Sequence, residues 1–277
     1  MTNKALKAIG AVIYTIRPSA TFGACLLVAA AYQPKNTDLL SLAILLGCAF
    51  FGSSYCFLVN DIFDREKDLL NHKMRPIATG VLPLRWAIGI SVLFALLFLG
   101  FSYTFGWVVF GLAILFLFLA TFYSLVNFQS GFMANFVVAF IVSGTQWGVA
   151  FVRPDSYLVP LAVFLFLFTV PREMILDWLD KEGDEAHGKD SLAIKFSTQK
   201  FNGIMASFLI AATIALTYLL VVRIPHAISY AFFVASILIS WTAFGPFFFR
   251  ANRKNALIAV RSSHLTFALI ILAMFLR

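Results

Sequence analysis

Two stretches of the sequence carry the same acidic pattern, Asp-x-x-Asp-[Arg/Lys]-Glu-x-Asp. The first is Asp61-Ile62-Phe63-Asp64-Arg65-Glu66-Lys67-Asp68, preceded by Asn60. The second is Asp177-Trp178-Leu179-Asp180-Lys181-Glu182-Gly183-Asp184. Carboxylates gathered this closely repel one another unless a cation neutralises them, and nearness to lipid raises that cost. Oxygen-only donors select a hard metal, and Mg²⁺ takes a few carboxylates while phosphate and water fill its other positions. Arg75, Lys181 and Lys189 are bases suited to neutralise outer phosphate oxygens. The chemistry these residues specify together is a diphosphate held through Mg²⁺. A single mixed run of charges is usually a solvated loop with local ion pairs. Repetition of eight residues at the ends of two apolar helices argues against that reading. His72 and His187 follow the two motifs, but no second His or Cys completes a transition-metal spacing.

Helical spacing puts each set on one face: Asn60, Asp64 and Asp68 recur every four residues, and Asp177, Asp180 and Asp184 at steps of three and four. The elements carrying them must be apolar. Of the 277 residues 61% are hydrophobic and 12% charged, and the mean hydropathy is +0.90, too little polar surface for a water-soluble globule. Apolar runs fall at about 17–33, 39–60, 84–103, 106–124, 131–151, 157–178, 202–222, 227–249 and 256–276, each near the ~20 residues that cross a hydrocarbon core. Only helices and closed barrels satisfy their backbone in lipid, and these runs are too long and continuous for barrel strands. The expected fold is therefore all-α. It is a polytopic membrane bundle of about nine transmembrane helices, one domain over residues 1–277, internally duplicated, with a site between its halves. The motif loops are expected at about 61–83 and 179–201.

The net charge of +8 does not indicate a nucleic-acid partner, because Lys and Arg sit between apolar runs rather than in a basic domain. Their distribution places the N-terminus and both motif loops on the cytoplasmic side and the C-terminus opposite. Cys25, Cys48 and Cys56 lie in apolar runs without CxxC spacing and read as small core residues. Lys4 and Lys7 precede an apolar stretch as in a signal peptide, but Arg17-Pro18 interrupts its start, so a retained helix is expected.

Asn60 to Asp68 resembles the N-D-x-x-D-x-x-x-D motif of the UbiA superfamily of intramembrane prenyltransferases. Arg75-Pro76-Ile77 with Gly80 matches that family's R-P-I-x-x-G segment. Arg172 to Asp184 is similar to its second motif, especially in the geranylgeranylglyceryl-phosphate and chlorophyll-synthase-like branches. The resemblance implies two Mg²⁺ ions held by Asn60, Asp61, Asp64, Asp68, Asp177, Asp180 and Asp184, with Asp64, Asp68, Asp180 and Asp184 essential to catalysis. It also implies a prenyl diphosphate bound by Arg17, Arg75, Tyr123, Asn127, Lys181 and Lys189, and a lipophilic or aromatic acceptor. One position departs from the pattern. Tyr123 begins a Y-x-x-x-K element and Gly131 and Asn135 match a following G-x-x-x-N, but Asn127 occupies the Lys position. Either another base such as Arg17 compensates, or the chemistry differs from simple transfer. A terpene cyclase of the same superfamily and a cation transporter stand as alternatives, although a transporter's acids belong nearer the bilayer midplane.

Overall fold

The computed structural model describes residues 2–33, 38–70, 74–126, 131–186, 191–222 and 226–276. The described residues are helical or in turns, with no strand among them, and the chain divides into two compact units, Met1–Asn127 and Phe128–Arg277. The first contains α1 (Thr2–Thr15), α2 (Pro18–Tyr32), α3 (Leu39–Phe63), α4 (Arg65–Leu70), α5 (Leu84–Tyr103) and α6 (Trp107–Val126). The second contains α7 (Gly131–Val152), α8 (Leu158–Leu179), α9 (Lys181–Ala186), α10 (Leu192–Lys195), α11 (Thr198–Val222), α12 (Ala227–Phe249) and α13 (Arg253–Phe275). Eight of these helices are long and apolar enough to cross a membrane, and α1 with α2 forms a ninth candidate bent by 55°.

In the first unit α3 is the hub, packing against α2, α5 and α6. Its 25 residues extend about 37 Å at 1.5 Å per residue, more than a hydrocarbon core requires. Asp38 caps its start by accepting the Ser41 N–H at 3.1 Å and ties it to α2 by accepting the Tyr32 hydroxyl at 2.8 Å. Hydrogen bonds from Ser41 and Tyr32 hold the Asp38 carboxyl below the usual carboxylate range. Two glycines let α3 and α5 approach closely. A Cβ at Gly47 would run into the Phe101 ring, and one at Gly52 would stand 3.2 Å from Cε2 of Phe98.

The second unit repeats the arrangement around α8, which packs against α7, α11 and α13. Leu161, Phe164, Leu165, Phe168, Met174 and Ile175 of α8 are all buried. Of the apolar window of α8, 61% is buried within the protein, against 11% for α5 and for α6, so α8 meets protein where those two present apolar faces outward. Phe168 lies edge-on to Phe244 of α12 and Phe267 of α13, at centroid distances of 5.9 and 5.5 Å, in the tilted geometry that ring quadrupoles favour.

Two differences from the sequence reading concern the motif regions and the first helix. The stretches expected as loops contain helix: α3 continues past Asp61, and α4, α9 and α10 are short helices in the connections. The expected first run, 17–33, matches α2, but α1 precedes it. Arg17 joins the two with φ 48° and ψ 73°, a left-handed conformation that costs a non-glycine residue roughly 1–2 kcal/mol. Pro18, with no N–H to leave unpaired, begins α2 immediately after the bend.

Candidate active site

Each acidic motif lies where the hub helix of its unit breaks. In the first unit α3 ends at Phe63, Asp64 is its C-cap, and α4 begins at Arg65. In the second, α8 ends at Leu179, Asp180 is its C-cap, and α9 begins at Lys181. The correspondence extends to the backbone, since the Asp64 N–H reaches the Asn60 carbonyl at 2.8 Å and the Asp180 N–H reaches that of Leu176 at 3.0 Å. The Asp68 N–H continues to the Asp64 carbonyl at 2.7 Å, so Asn60, Asp64 and Asp68 remain four residues apart in helical step across the break.

The first motif is an ion cluster. Asp61, 2% exposed, accepts Arg75 Nη1 at 2.6 Å and Arg17 Nη2 at 3.1 Å on the same oxygen, Oδ1. Arg75 Nη1 also stands 3.1 Å from Oδ2 of Asp68, which is equally buried. Among the described residues, two guanidinium groups thus face these two buried carboxylates, the pairing that burial of charge requires. Arg17 is further held over the Phe57 ring, 4.8 Å from its centroid. Asn60 Nδ2 donates to Asp64 Oδ2 at 2.9 Å. That leaves the Asn60 amide oxygen and the second Asp64 oxygen as hard donors.

The second motif has a different neighbourhood. Asp177, half-buried on α8, accepts Asn135 Nδ2 of α7 at 2.9 Å. Asp180 is exposed and Lys181 half-buried at the break. Asp184 belongs to α9 by its backbone, but its side chain lies outside the described residues, as do Asn127 and Lys189 altogether. Tyr123 is half-buried on α6, in the same unit as the first cluster. Among the described residues no three His, Cys, Asp or Glu side chains converge as a ready-made cage. The donor chemistry nevertheless fits a hard cation, because Asn60, Asp64 and the acids of the second motif offer oxygen alone.

Three features escaped the sequence reading. Asn135 was matched to a family segment, but its bond to Asp177 was not foreseen. Arg172 and Glu173 form an ion pair on α8, and Arg172 Nε also donates to Ser263 Oγ of α13 at 3.2 Å. The signal available was two adjacent charges inside an apolar run, which lipid tolerates only when they are paired. Asp61 also proves to be an anchor for two arginines, through which it orients their forks.

The fold and this site define a polytopic membrane protein whose two hub helices each present a carboxylate cluster at the point where they break. The model of the UbiA prenyltransferase family matches residues 19–276, and the chain belongs to that family. It is 30% identical over 234 residues to the digeranylgeranylglyceryl phosphate synthase of Methanobrevibacter smithii, covering 79% of this chain and 81% of that one. Three other relatives of the same name, from Sulfolobus acidocaldarius, Methanoregula boonei and Pyrococcus horikoshii, are matched over only 52% to 65% of their length. A solved structure of digeranylgeranylglyceryl phosphate synthase superposes with a TM-score of 0.81 at 20% identity, covering 97% of each chain. A UbiA homolog from Archaeoglobus fulgidus bound to GPP and Mg²⁺ does so with a TM-score of 0.76 at 17% identity, covering 96% of this chain and 98% of that one. At these identities the two structures establish a shared fold.

Proposed function

We propose that this protein is a Mg²⁺-dependent intramembrane prenyltransferase that ionises a prenyl diphosphate and transfers the prenyl group to a lipophilic acceptor. The observation that carries the reading is the eight-residue acidic motif found twice, each copy at the break of a hub helix, in a chain of the UbiA family. The hydroxyl of a prenylated glyceryl phosphate is the first acceptor to test, given the product named by the relatives.

Asn60, Asp64 and Asp68 with Asp177, Asp180 and Asp184 would hold the metal, two ions being the working number. When bound, Mg²⁺ supplies Lewis-acid stabilisation of the charge on the departing diphosphate. Arg75 and Arg17 use one nitrogen each on the acids, which leaves the other N–H groups of each planar fork for phosphate oxygens. Lys181 and Lys189 add further positive charge, and Asp61 keeps the two arginine forks in place. Tyr123 and Asn127 contribute neutral hydrogen bonds to the diphosphate. Apolar helix walls exclude the water that would otherwise capture an allylic cation.

The test is incubation of the reconstituted protein with geranylgeranyl diphosphate, with and without geranylgeranylglyceryl phosphate, and mass-spectrometric product detection. A doubly prenylated product that vanishes in EDTA and returns with Mg²⁺ supports the proposal. A cyclic hydrocarbon formed without acceptor would replace it with a terpene cyclase. Ion flux without any prenyl turnover would replace it with a transporter.

We propose further that the N-terminus and both motif breaks face the cytoplasm and the C-terminus the opposite side, from the distribution of Lys and Arg. A Cys placed at exposed Glu182 should react with a membrane-impermeant maleimide in inverted vesicles and stay protected in intact cells. The reverse labelling pattern overturns this orientation.

A further inference from the structure

All acidic residues of the chain lie at or before Asp190, so the segment 191–277 carries cations alone: Lys195, Lys200, Arg223, Arg250, Arg253, Lys254, Arg261 and Arg277. These eight equal the whole net charge of +8, and the first 190 residues are balanced. Six of the eight lie among the described residues, and all six side chains are exposed. None of them belongs to the site described above.

The second unit gathers them at one end. Asn202, near the start of α11, donates to the Phe248 carbonyl at the end of α12 at 3.2 Å, which brings Lys200 to the same end as Arg250. The corner between α12 and α13 is tightly built. Asn252 caps α13 by accepting the Asn255 N–H at 2.9 Å, and Asn255 Nδ2 donates to the carbonyls of Pro246 at 3.0 Å and Arg250 at 2.9 Å. From this corner project Arg250, Arg253 and Lys254, with Phe249 beside them at 94% exposure. Arg261 lies seven residues after Lys254 and so on the same face of α13. At about 10 Å along that helix, its long side chain can carry the guanidinium back towards the interface.

We propose that this corner binds anionic lipid headgroups of the leaflet in which it sits. Three observations select that partner. The patch terminates two membrane-crossing helices, so phosphodiester groups are the anions at that depth. Its segment contains no acid to compete for the cations. Phe249 adds an exposed apolar ring that can bury at the headgroup/acyl boundary, a feature that a soluble polyanion would not require. The positive-inside rule explains why cations occur on a connection of this kind, but it does not account for a braced corner with an exposed ring. Juxtamembrane cations near a charged leaflet attract it over a Debye length, so the interaction should weaken with salt. The proposal requires only that the chain resides in a bilayer, and it is independent of the catalytic reading.

The experiment uses the full-length protein in nanodiscs of mixed phosphatidylglycerol and phosphatidylcholine. Co-purified lipid is counted by mass spectrometry after mild detergent extraction. Wild type should retain phosphatidylglycerol in excess of its share of the bilayer, and retention should fall as salt rises. Arg250→Gln/Arg253→Gln/Lys254→Gln, all at exposed positions, should lower that excess roughly tenfold or more, the scale expected when three interfacial cations are lost. Phe249→Ala should reduce total lipid retained while leaving the preference for phosphatidylglycerol. The proposal is overturned if wild type shows no excess, or if the triple variant keeps it. It is likewise overturned if a soluble polyanion such as heparin binds wild type and displaces the lipid completely at physiological salt, which would assign the corner to a water-soluble partner.

Discussion

Asp64→Ala and Asp180→Ala should each lower prenyl transfer by about a hundredfold or more while leaving the protein folded. Both residues cap a hub helix by backbone bonds that alanine can also make; Asp180 is exposed, and half-buried Asp64 gives up only its bond from Asn60 besides. What each removes is a carboxylate at the position proposed to hold Mg²⁺. Loss of one preorganised electrostatic contact at a reacting centre typically costs 10²–10³ in rate. The comparison should be made at saturating Mg²⁺, with the melting temperature in detergent measured alongside. A variant that turns over at the wild-type rate removes its residue from the site. Should both do so, the duplicated motif has no catalytic meaning.

The second large effect is on stability. Arg75→Ala should destabilise the first unit by about 3–5 kcal/mol, the range for breaking a buried pair by removing one partner. One nitrogen, Nη1, serves both Asp61 and Asp68, and both carboxylates are buried. Arg17 is a second cation of the cluster, meeting Asp61. Its contact is to Asp61 at 3.1 Å and its side chain is 39% exposed, so solvent screening limits what it can offset. Arg75→Lys should fall between wild type and alanine, because a point charge replaces a planar fork. Adding Asp61→Asn to Arg75→Ala should recover part of the loss, since one uncompensated charge is then removed. An unchanged melting temperature in Arg75→Ala, or a double variant weaker than the single, contradicts the cluster as a stabilising unit.

The bundle was legible because apolar length is a local property. The runs expected at 84–103 and 227–249 are α5 and α12 residue for residue, and the one expected at 39–60 recovers α3 to within three positions. The breaks after Asp64 and Asp180 were less visible, since nothing in the motif separates a helix that ends from one that continues. Pairings across the chain were not legible. Arg17 meets Asp61 from 44 residues away, and Asn135 meets Asp177 from 42; such partners are selected by packing, which no local spacing records. Arg17 illustrates both sides. Its charge and its place before Pro18 are visible in the sequence, whereas its left-handed backbone appears only once α1 and α2 are folded.

The close approach of α3 and α5 has a consequence for where the chemistry can be disturbed. Gly52 precedes Asp61 by nine residues, about 14 Å along a helix axis, and Gly47 lies five residues farther from the acids. Each meets the edge of a phenylalanine ring on α5, so the two helices engage like a bolt in its keeper, and these contacts limit how far α3 can slide along α5. A methyl group added at either glycine would push against the ring. Because a helix transmits displacement along its length, the shift would be felt at Asn60 and Asp64. The residues that position the first cluster therefore include uncharged glycines within the apolar span of α3, far along the helix from the acids themselves.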